Sequence, residues 1–145
     1  MLDVDHFKSI NDGFGHPAGD AVLQGVARLL QRELRQTDIA CRYGGEEFVL
    51  ILADTNAAAA VALCDRIRLA LSDLTWSRHP ERSVTASFGV AGCDGVSTVS
   101  AEKWIEIADQ NLYTAKRSGR NRVVGCDVNT GTLPAPAPEP MKLAG

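Results

Sequence analysis

Two strand-like runs meet at Arg42-Tyr43-Gly44-Gly45-Glu46-Glu47-Phe48-Val49. The run before the glycines, Ile39 to Tyr43, and the run after them, Glu46 to Leu52, are rich in aliphatic and aromatic residues. Two such runs around Gly-Gly read as a β-hairpin, whose central turn positions often need positive φ. This hairpin carries two acids, Glu46 and Glu47, at its tip. Upstream, Met1-Leu2-Asp3-Val4 reads as the end of a strand, and the glycine-containing stretch from Asn11 through Gly19 reads as a turning segment. From Asp20 onward Val22, Val26, Leu29 and Leu30 recur at helical spacing. Downstream, Asp54-Thr55-Asn56 offers an N-cap to an alanine-rich helix reaching about Leu74, and Arg82 to Ala91 reads as a strand. Ser100 caps a last helix with Ile105, Ala108, Leu112 and Ala115 on one face; Gly119 ends it, and Arg122 to Cys126 forms a final strand. The order predicts an α/β (α+β) sandwich, with a mostly antiparallel central sheet flanked by helices.

A chain of 145 residues with 45% hydrophobic and 23% charged residues is expected to form one soluble globular domain, here residues 1–126. The alternating prolines that follow make 127–145 an extended or disordered tail. No apolar run is long enough to span a bilayer, and no signal-peptide pattern follows Met1. A net charge of −3 argues against a general nucleic-acid binder, so neither a membrane nor a nucleic acid is expected as partner. Cys41, Cys64, Cys93 and Cys126 are scattered without a CxxC or Cys/His cluster. They read as reduced, mostly buried thiols of a cytoplasmic protein.

Asp3 at a strand end and the hairpin acids are the first candidates for chemistry. Neighbouring side chains of an extended chain point to opposite faces, so at most one of Glu46 and Glu47 should share a site with Asp3. Two carboxylates converging from two strand ends suit magnesium, a hard cation that keeps substrate phosphates in its shell; solvation of a turn is the alternative. The segment His6-Phe7-Lys8 offers backbone N–H groups to an anion if it opens a helical turn. Asn11 and Asp20 carry the donors and acceptors that a guanine edge requires, and either also suits a turn or cap. Lys116, Arg117 and Arg120 at the end of the last helix complement its dipole or, alternatively, neutralise phosphate.

Together these residues resemble the GGDEF family of diguanylate cyclases. Gly44-Gly45-Glu46-Glu47-Phe48 matches the signature in its variant with Glu at the third position. The stretch from Asp3 to Asp20 is similar to the family's first strand and nucleotide loop, and Ala108 to Asn121 to its final helix and turn. The resemblance implies a nucleotidyl-cyclase-like, ferredoxin-like fold, with 1–126 as the catalytic domain. It also implies a helix and the beginning of the first strand ahead of Met1, so the first strand is expected to be cut short. The implied reaction condenses two GTP into cyclic di-GMP and two pyrophosphates between two facing protomers. The implied cofactor is Mg²⁺ or Mn²⁺, held by Asp3, Glu46 and the Val4 carbonyl. Asn11 and Asp20 would recognise guanine, while the backbone at His6 and Phe7, with Lys8, Lys116 and Arg120, would hold the triphosphate. Gly44 and Gly45 would let the hairpin approach the nucleotide, and Glu47 would serve the turn or the 3′-hydroxyl. Arg35-Gln36-Thr37-Asp38 stands where the family's RxxD motif binds cyclic di-GMP as inhibitor, with Arg66 as a secondary contact. A catalytically inactive module that binds GTP or cyclic di-GMP, and a different nucleotidyl cyclase on a related fold, are the competing readings.

Overall fold

The computed structural model describes residues 1–76 and 83–132. Along the chain run β1 (Leu2–Val4), α1 (Phe7–Phe14), α2 (His16–Glu33), β2 (Ile39–Arg42), β3 (Glu47–Ile51), α3 (Ala57–Ser72), β4 (Ala86–Gly92), α4 (Ala101–Arg117) and β5 (Val123–Asp127). The strands form one sheet in the order β2-β3-β1-β4-β5. All neighbours are antiparallel except β4 and β5. This is the expected mostly antiparallel sheet between helices, with the three-residue β1 at its centre.

Strand alternation sorts the side chains between two faces. Leu2, Val4, Ala86, Phe88 and Val90 join Val22, Val26, Leu30, Ile67 and Leu71 of α2 and α3 in one core. The opposite face of β4 receives α4, and Gly89 makes that approach possible. A Cβ at Gly89 would lie 2.0 Å from the Ala108 carbonyl oxygen and 2.2 Å from the Leu112 nitrogen. Asn111 completes the seam by donating from Nδ2 to the Val90 carbonyl at 2.8 Å. Beyond Met1 a cavity of about 660 Å³ opens between β3 and β4, lined in part by Leu50, Leu52, Phe88, Val90 and Trp104.

Several expectations change. The stretch expected to turn after β1 is the helix α1, and α2 starts at His16 rather than Asp20. Phe7 and Ile10 anchor α1 in the core, and Gly15 at φ 79° breaks it from α2. The hairpin connection spans Tyr43 to Glu46, closed by Tyr43 and Gly44 N–H donating to the Glu47 carbonyl at 2.8 and 3.3 Å. Neither Gly44 nor Gly45 has positive φ, because this four-residue loop is not the two-residue turn that demands it. Asn56 and Ser100 do cap α3 and α4, and α3 ends at Ser72, two residues before Leu74. On α4, Ala108, Leu112 and Ala115 are buried but Ile105 is exposed, one turn beyond the part of the helix that rests on β4. The strand expected over Arg82 to Ala91 is Ala86–Gly92, and Arg82 itself lies outside the described residues.

Of the four free thiols only Cys64 and Cys126 are buried; Cys93 is half-buried and Cys41 is exposed on the edge strand β2. Asp127 closes β5 and its carboxylate accepts from Asn129 and Thr130 N–H at 2.8 and 3.1 Å, so the chain folds back through a turn before Thr132. The remainder of the proline-rich segment lies outside the described residues.

Gly89→Ala should therefore lower stability by about 3 kcal/mol, the upper range for overpacking, read as a shift in urea midpoint. Gly45→Ala, whose Cβ would meet nothing within 4 Å, should stay within about 0.5 kcal/mol of the parent. Burial pushes the Cys64 thiol up to about 11, so its reactive thiolate is scarce at pH 8 while Cys41 is accessible. Iodoacetamide should label Cys41 first and Cys64 only on unfolding; equal labelling rates in the native chain would contradict this packing.

Candidate active site

The alternation that sends Leu2 and Val4 into the core turns Asp3 toward α4. There its side chain, only 9% exposed, meets Lys116 Nζ at 2.7 Å. Asp3 pairs across the ladder with Glu47, so the two side chains share a face. Glu46 lies in the turn just before β3, where its carbonyl accepts the Val4 N–H at 3.2 Å. Burial raises the Asp3 carboxyl pKa, Lys116 works against that shift, and Glu47 and Asp5 add to it. Glu46 is likewise raised, first by burial and then by Asp3, with Lys116 opposing. Both hairpin glutamates therefore lie within electrostatic reach of Asp3, contrary to the expectation that at most one would. Glu46 precedes the strand, so strand alternation does not constrain it.

The hairpin tip is organised by a residue that sequence reasoning left without a role. Arg42 donates from Nε and Nη2 to the Gly45 carbonyl, at 3.2 and 2.7 Å, and from Nε to the Gly44 carbonyl at 3.1 Å. Gly44 is needed for a further reason: a Cβ there would lie 2.6 Å from Glu47 Oε2. Close approach thus has a local meaning at Gly44, which makes room for Glu47, while Gly45 faces open space.

At the same end of β1, just past Val4, His6 takes a left-handed conformation, φ 55°, and starts α1 without a side-chain cap. No acidic residue lies in the first turn of α1, so its free N–H groups present partial positive charge beside exposed Lys8. Phe7 is buried and anchors this turn. Asn11, half-buried, lies over Gly19 of α2, where an added Cβ would come within 2.0 Å of Asn11 Oδ1. Asp20, the next residue, is exposed, so the two helices bring the guanine candidates to one junction. Lys116 closes the site from α4, and Arg120 follows in the next turn with its guanidinium unpartnered among the described residues.

Arg35 and Asp38 stand apart, in the turn after α2. Arg35 N–H donates to Asp38 Oδ2 at 2.9 Å, while Asp38 Oδ1 is buried without a partner among the described residues. Arg66 does not join them here; its guanidinium donates to Glu33 Oε2 at 3.0 Å and to the Glu33 carbonyl at 3.3 Å.

The donor set beside Lys116 is all oxygen, which fits a hard divalent cation. Among the described residues no group of three His, Cys, Asp or Glu side chains is placed to cage a metal alone. Magnesium typically takes one or two carboxylates and fills its shell with water and phosphate oxygens. In the described structure Lys116 supplies the positive charge beside Asp3.

Fold and site together define a nucleotidyl-cyclase-like α/β domain. The family profile described as "Diguanylate cyclase, GGDEF domain" matches residues 1–122. Diguanylate cyclase A of Treponema denticola is 44% identical over 124 residues, 85% of this chain and 33% of that protein. The response regulator PleD of Caulobacter vibrioides is 44% identical over 128 residues, 86% of this chain and 28% of its own length. The chain thus spans a third or less of these curated relatives. Among solved structures, the active GGEEF domain of a diguanylate cyclase from Vibrio cholerae superposes with TM-score 0.78 at 34% identity, covering 87% of this chain and 78% of that one. The GGDEF domain of DgcB from Caulobacter crescentus, in complex with c-di-GMP, gives 0.77 at 37%, covering 86% and 74%. The chain belongs to the GGDEF-domain diguanylate cyclase family.

Because Asp3 is buried against a single cation, Lys116→Met should destabilise the metal-free chain by about 1–2 kcal/mol. That figure lies between exposed and buried ion pairs, since Lys116 retains 32% exposure. Adding Asp3→Asn should recover most of the loss in a double-mutant cycle; additive losses in urea titrations would contradict the pairing.

Proposed function

We propose that the chain is the catalytic domain, residues 1–126, of a cytoplasmic diguanylate cyclase that condenses two GTP into cyclic di-GMP and two pyrophosphates. The observation that carries this reading is the buried carboxylate of Asp3, set between Lys116 and the hairpin acids beside the uncapped start of α1. Asp3 and Glu46, with the Val4 carbonyl, would hold Mg²⁺ or Mn²⁺. When bound, such an ion polarises the α-phosphate and lowers the pKa of the attacking hydroxyl.

The chain's own groups account for the remainder. The first N–H groups of α1 at His6 and Phe7, with Lys8, Lys116 and Arg120, offset the triphosphate charge. Asn11 and Asp20 read the guanine edge; the carboxylate accepts from the base N–H groups, and the amide both donates and accepts. Glu47, held over Gly44, orients the turn toward the 3′-hydroxyl. The 3′-oxygen of one GTP then attacks the α-phosphorus of the other; a new P–O bond forms as the bond to pyrophosphate breaks. The exchange repeats to close the ring. One such site holds one GTP, so two protomers must face each other, and two polyanions meet only where these cations neutralise them. Glu at position 46 is compatible with turnover, since the Vibrio cholerae relative is described as an active GGEEF domain.

The Arg35–Asp38 turn is proposed as the site of product feedback. The buried Asp38 Oδ1, unpartnered among the described residues, and the exposed Arg35 offer an acceptor and a forked donor to guanine and phosphate of cyclic di-GMP. Arg66 would exchange Glu33 for the ligand.

Purified protein incubated with GTP and Mg²⁺ should release pyrophosphate and cyclic di-GMP, with specific activity rising with protein concentration. Glu46→Gln should lower the rate by about 100-fold or more while GTP still binds. Bound GTP without product at any concentration would instead mark a binding module. Arg35→Ala should weaken inhibition by cyclic di-GMP by about tenfold, the loss expected for one charge-assisted contact, and leave the uninhibited rate unchanged.

A further inference from the structure

The turn that carries Arg120 is held to the strand end by a residue outside the site described above. Asp5 follows β1 and is only 4% exposed. Its Oδ1 accepts from Ser87 Oγ at 2.7 Å; its Oδ2 accepts from Thr85 Oγ1 at 2.8 Å and from the Asn121 N–H at 3.0 Å. Its own N–H donates to the Thr85 carbonyl at 2.9 Å. Thus one carboxylate joins the end of β1, the start of β4 and the connection between α4 and β5. No cation pairs with it among the described residues. Three neutral donors satisfy a charge that burial would otherwise penalise.

The connection needs such an anchor. Arg120 and Asn121 are consecutive non-glycine residues in the left-handed region, at φ 61° and 44°. Side chains disfavour that conformation, so it persists only where surrounding bonds over-determine it. Four bonds do so here. The Arg120 N–H reaches the Ala115 carbonyl at 3.0 Å, and Arg122 Nε reaches the Arg120 carbonyl at 3.0 Å. Asn121 Oδ1 accepts from Arg68 Nη1 at 2.9 Å, and Asp5 takes the Asn121 N–H. Of these, only the bond from Asp5 ties the turn to the strand that presents Asp3.

We infer that Asp5 is a positioning residue: through Asn121 it sets the turn from which Arg120 addresses the triphosphate, and so registers the phosphate-binding arm against Asp3. The inference rests on the reading of Arg120 as a phosphate ligand. Asp5→Asn can preserve the network, because its amide oxygen serves Thr85 and Asn121 while its NH₂ donates to a reoriented Ser87 hydroxyl. Asp5→Ala cannot.

Calorimetric titration with guanosine 5′-[β,γ-imido]triphosphate and with GMP, both with Mg²⁺, tests this. Arg120→Ala alone should weaken triphosphate binding about tenfold, a single charge-assisted contact, and leave GMP unchanged. In the Asp5→Ala background the same substitution should cost less than about threefold, whereas Asp5→Asn should retain the full penalty. Asp5→Ser, able to satisfy one donor, serves the comparison if Asp5→Ala does not fold. Equal Arg120→Ala penalties in all backgrounds would overturn the positioning role and leave the phosphate reading intact. An Arg120→Ala chain that binds both nucleotides like the parent would overturn the phosphate reading, and the inference with it.

Discussion

A carboxylate in the middle of a sheet is expensive to keep charged, and this domain places one there at Asp3, 6% exposed and one residue from core positions on either side. Lys116 offsets part of the desolvation, yet the Asp3 pKa remains raised because burial and the neighbouring acids outweigh it. The sheet supplies what an isolated ion pair lacks, a rigid frame. β1 is bracketed by antiparallel partners on both sides, which fix the backbone that presents Asp3. The rest of the architecture holds the second charge in place. Gly89 brings α4 onto β4 closely enough for Lys116 to reach across, and Ala108, Leu112 and Ala115 seat the helix below it.

The faces of β1 divide the labour. Leu2 and Val4 lock the strand into the α2 and α3 core, while Asp3 and Asp5 face the other layer. One of those acids is paired with a flexible cation and the other with neutral donors from fixed backbone and short hydroxyls. A lysine can exchange its partner for an incoming phosphate; two hydroxyls and a backbone N–H cannot follow a ligand. The same strand therefore carries one adjustable charge and one fixed anchor, separated by a single residue.

Much of this was legible from residues alone. Strand runs around Gly44-Gly45, capping at Asn56 and Ser100, and the apolar face of α4 depend on short-range chemistry that sequence displays directly. The helix α1 was misread because Asn11, Asp12 and Gly13 are turn formers, although Phe7, Ile10 and Phe14 already recur at helical spacing. Gly-Gly suggests a two-residue turn whose positions often need positive φ, and the four-residue loop does not use that turn type. Asp5 had one weak signal, its spacing of two from Asp3, which implies a shared face. Its partners lie 80, 82 and 116 residues away, beyond the reach of local pattern. Ile105 shows the opposite failure: helical spacing identifies a face but not where the opposing layer ends.

Charge distribution bears on how these pieces could act together. The chain is acidic overall, at −3, yet Lys8, Lys116 and Arg120 lie around the end of β1 near which the first turn of α1 begins without an acid. At a distance a polyanion meets a weakly repulsive protein, and net attraction develops only locally, within about 8–10 Å at ordinary salt. Under the proposed function a nucleotide would thus be selected by close geometry rather than by long-range steering. Two copies with the same acidic balance would approach each other with the same reluctance. If each held a GTP as proposed, each protomer would bring its own triphosphate as further negative charge. On the proposed reading, association of two loaded protomers would need cations at the shared face, and Lys8, Lys116, Arg120 and a bound divalent ion would be the groups to provide them.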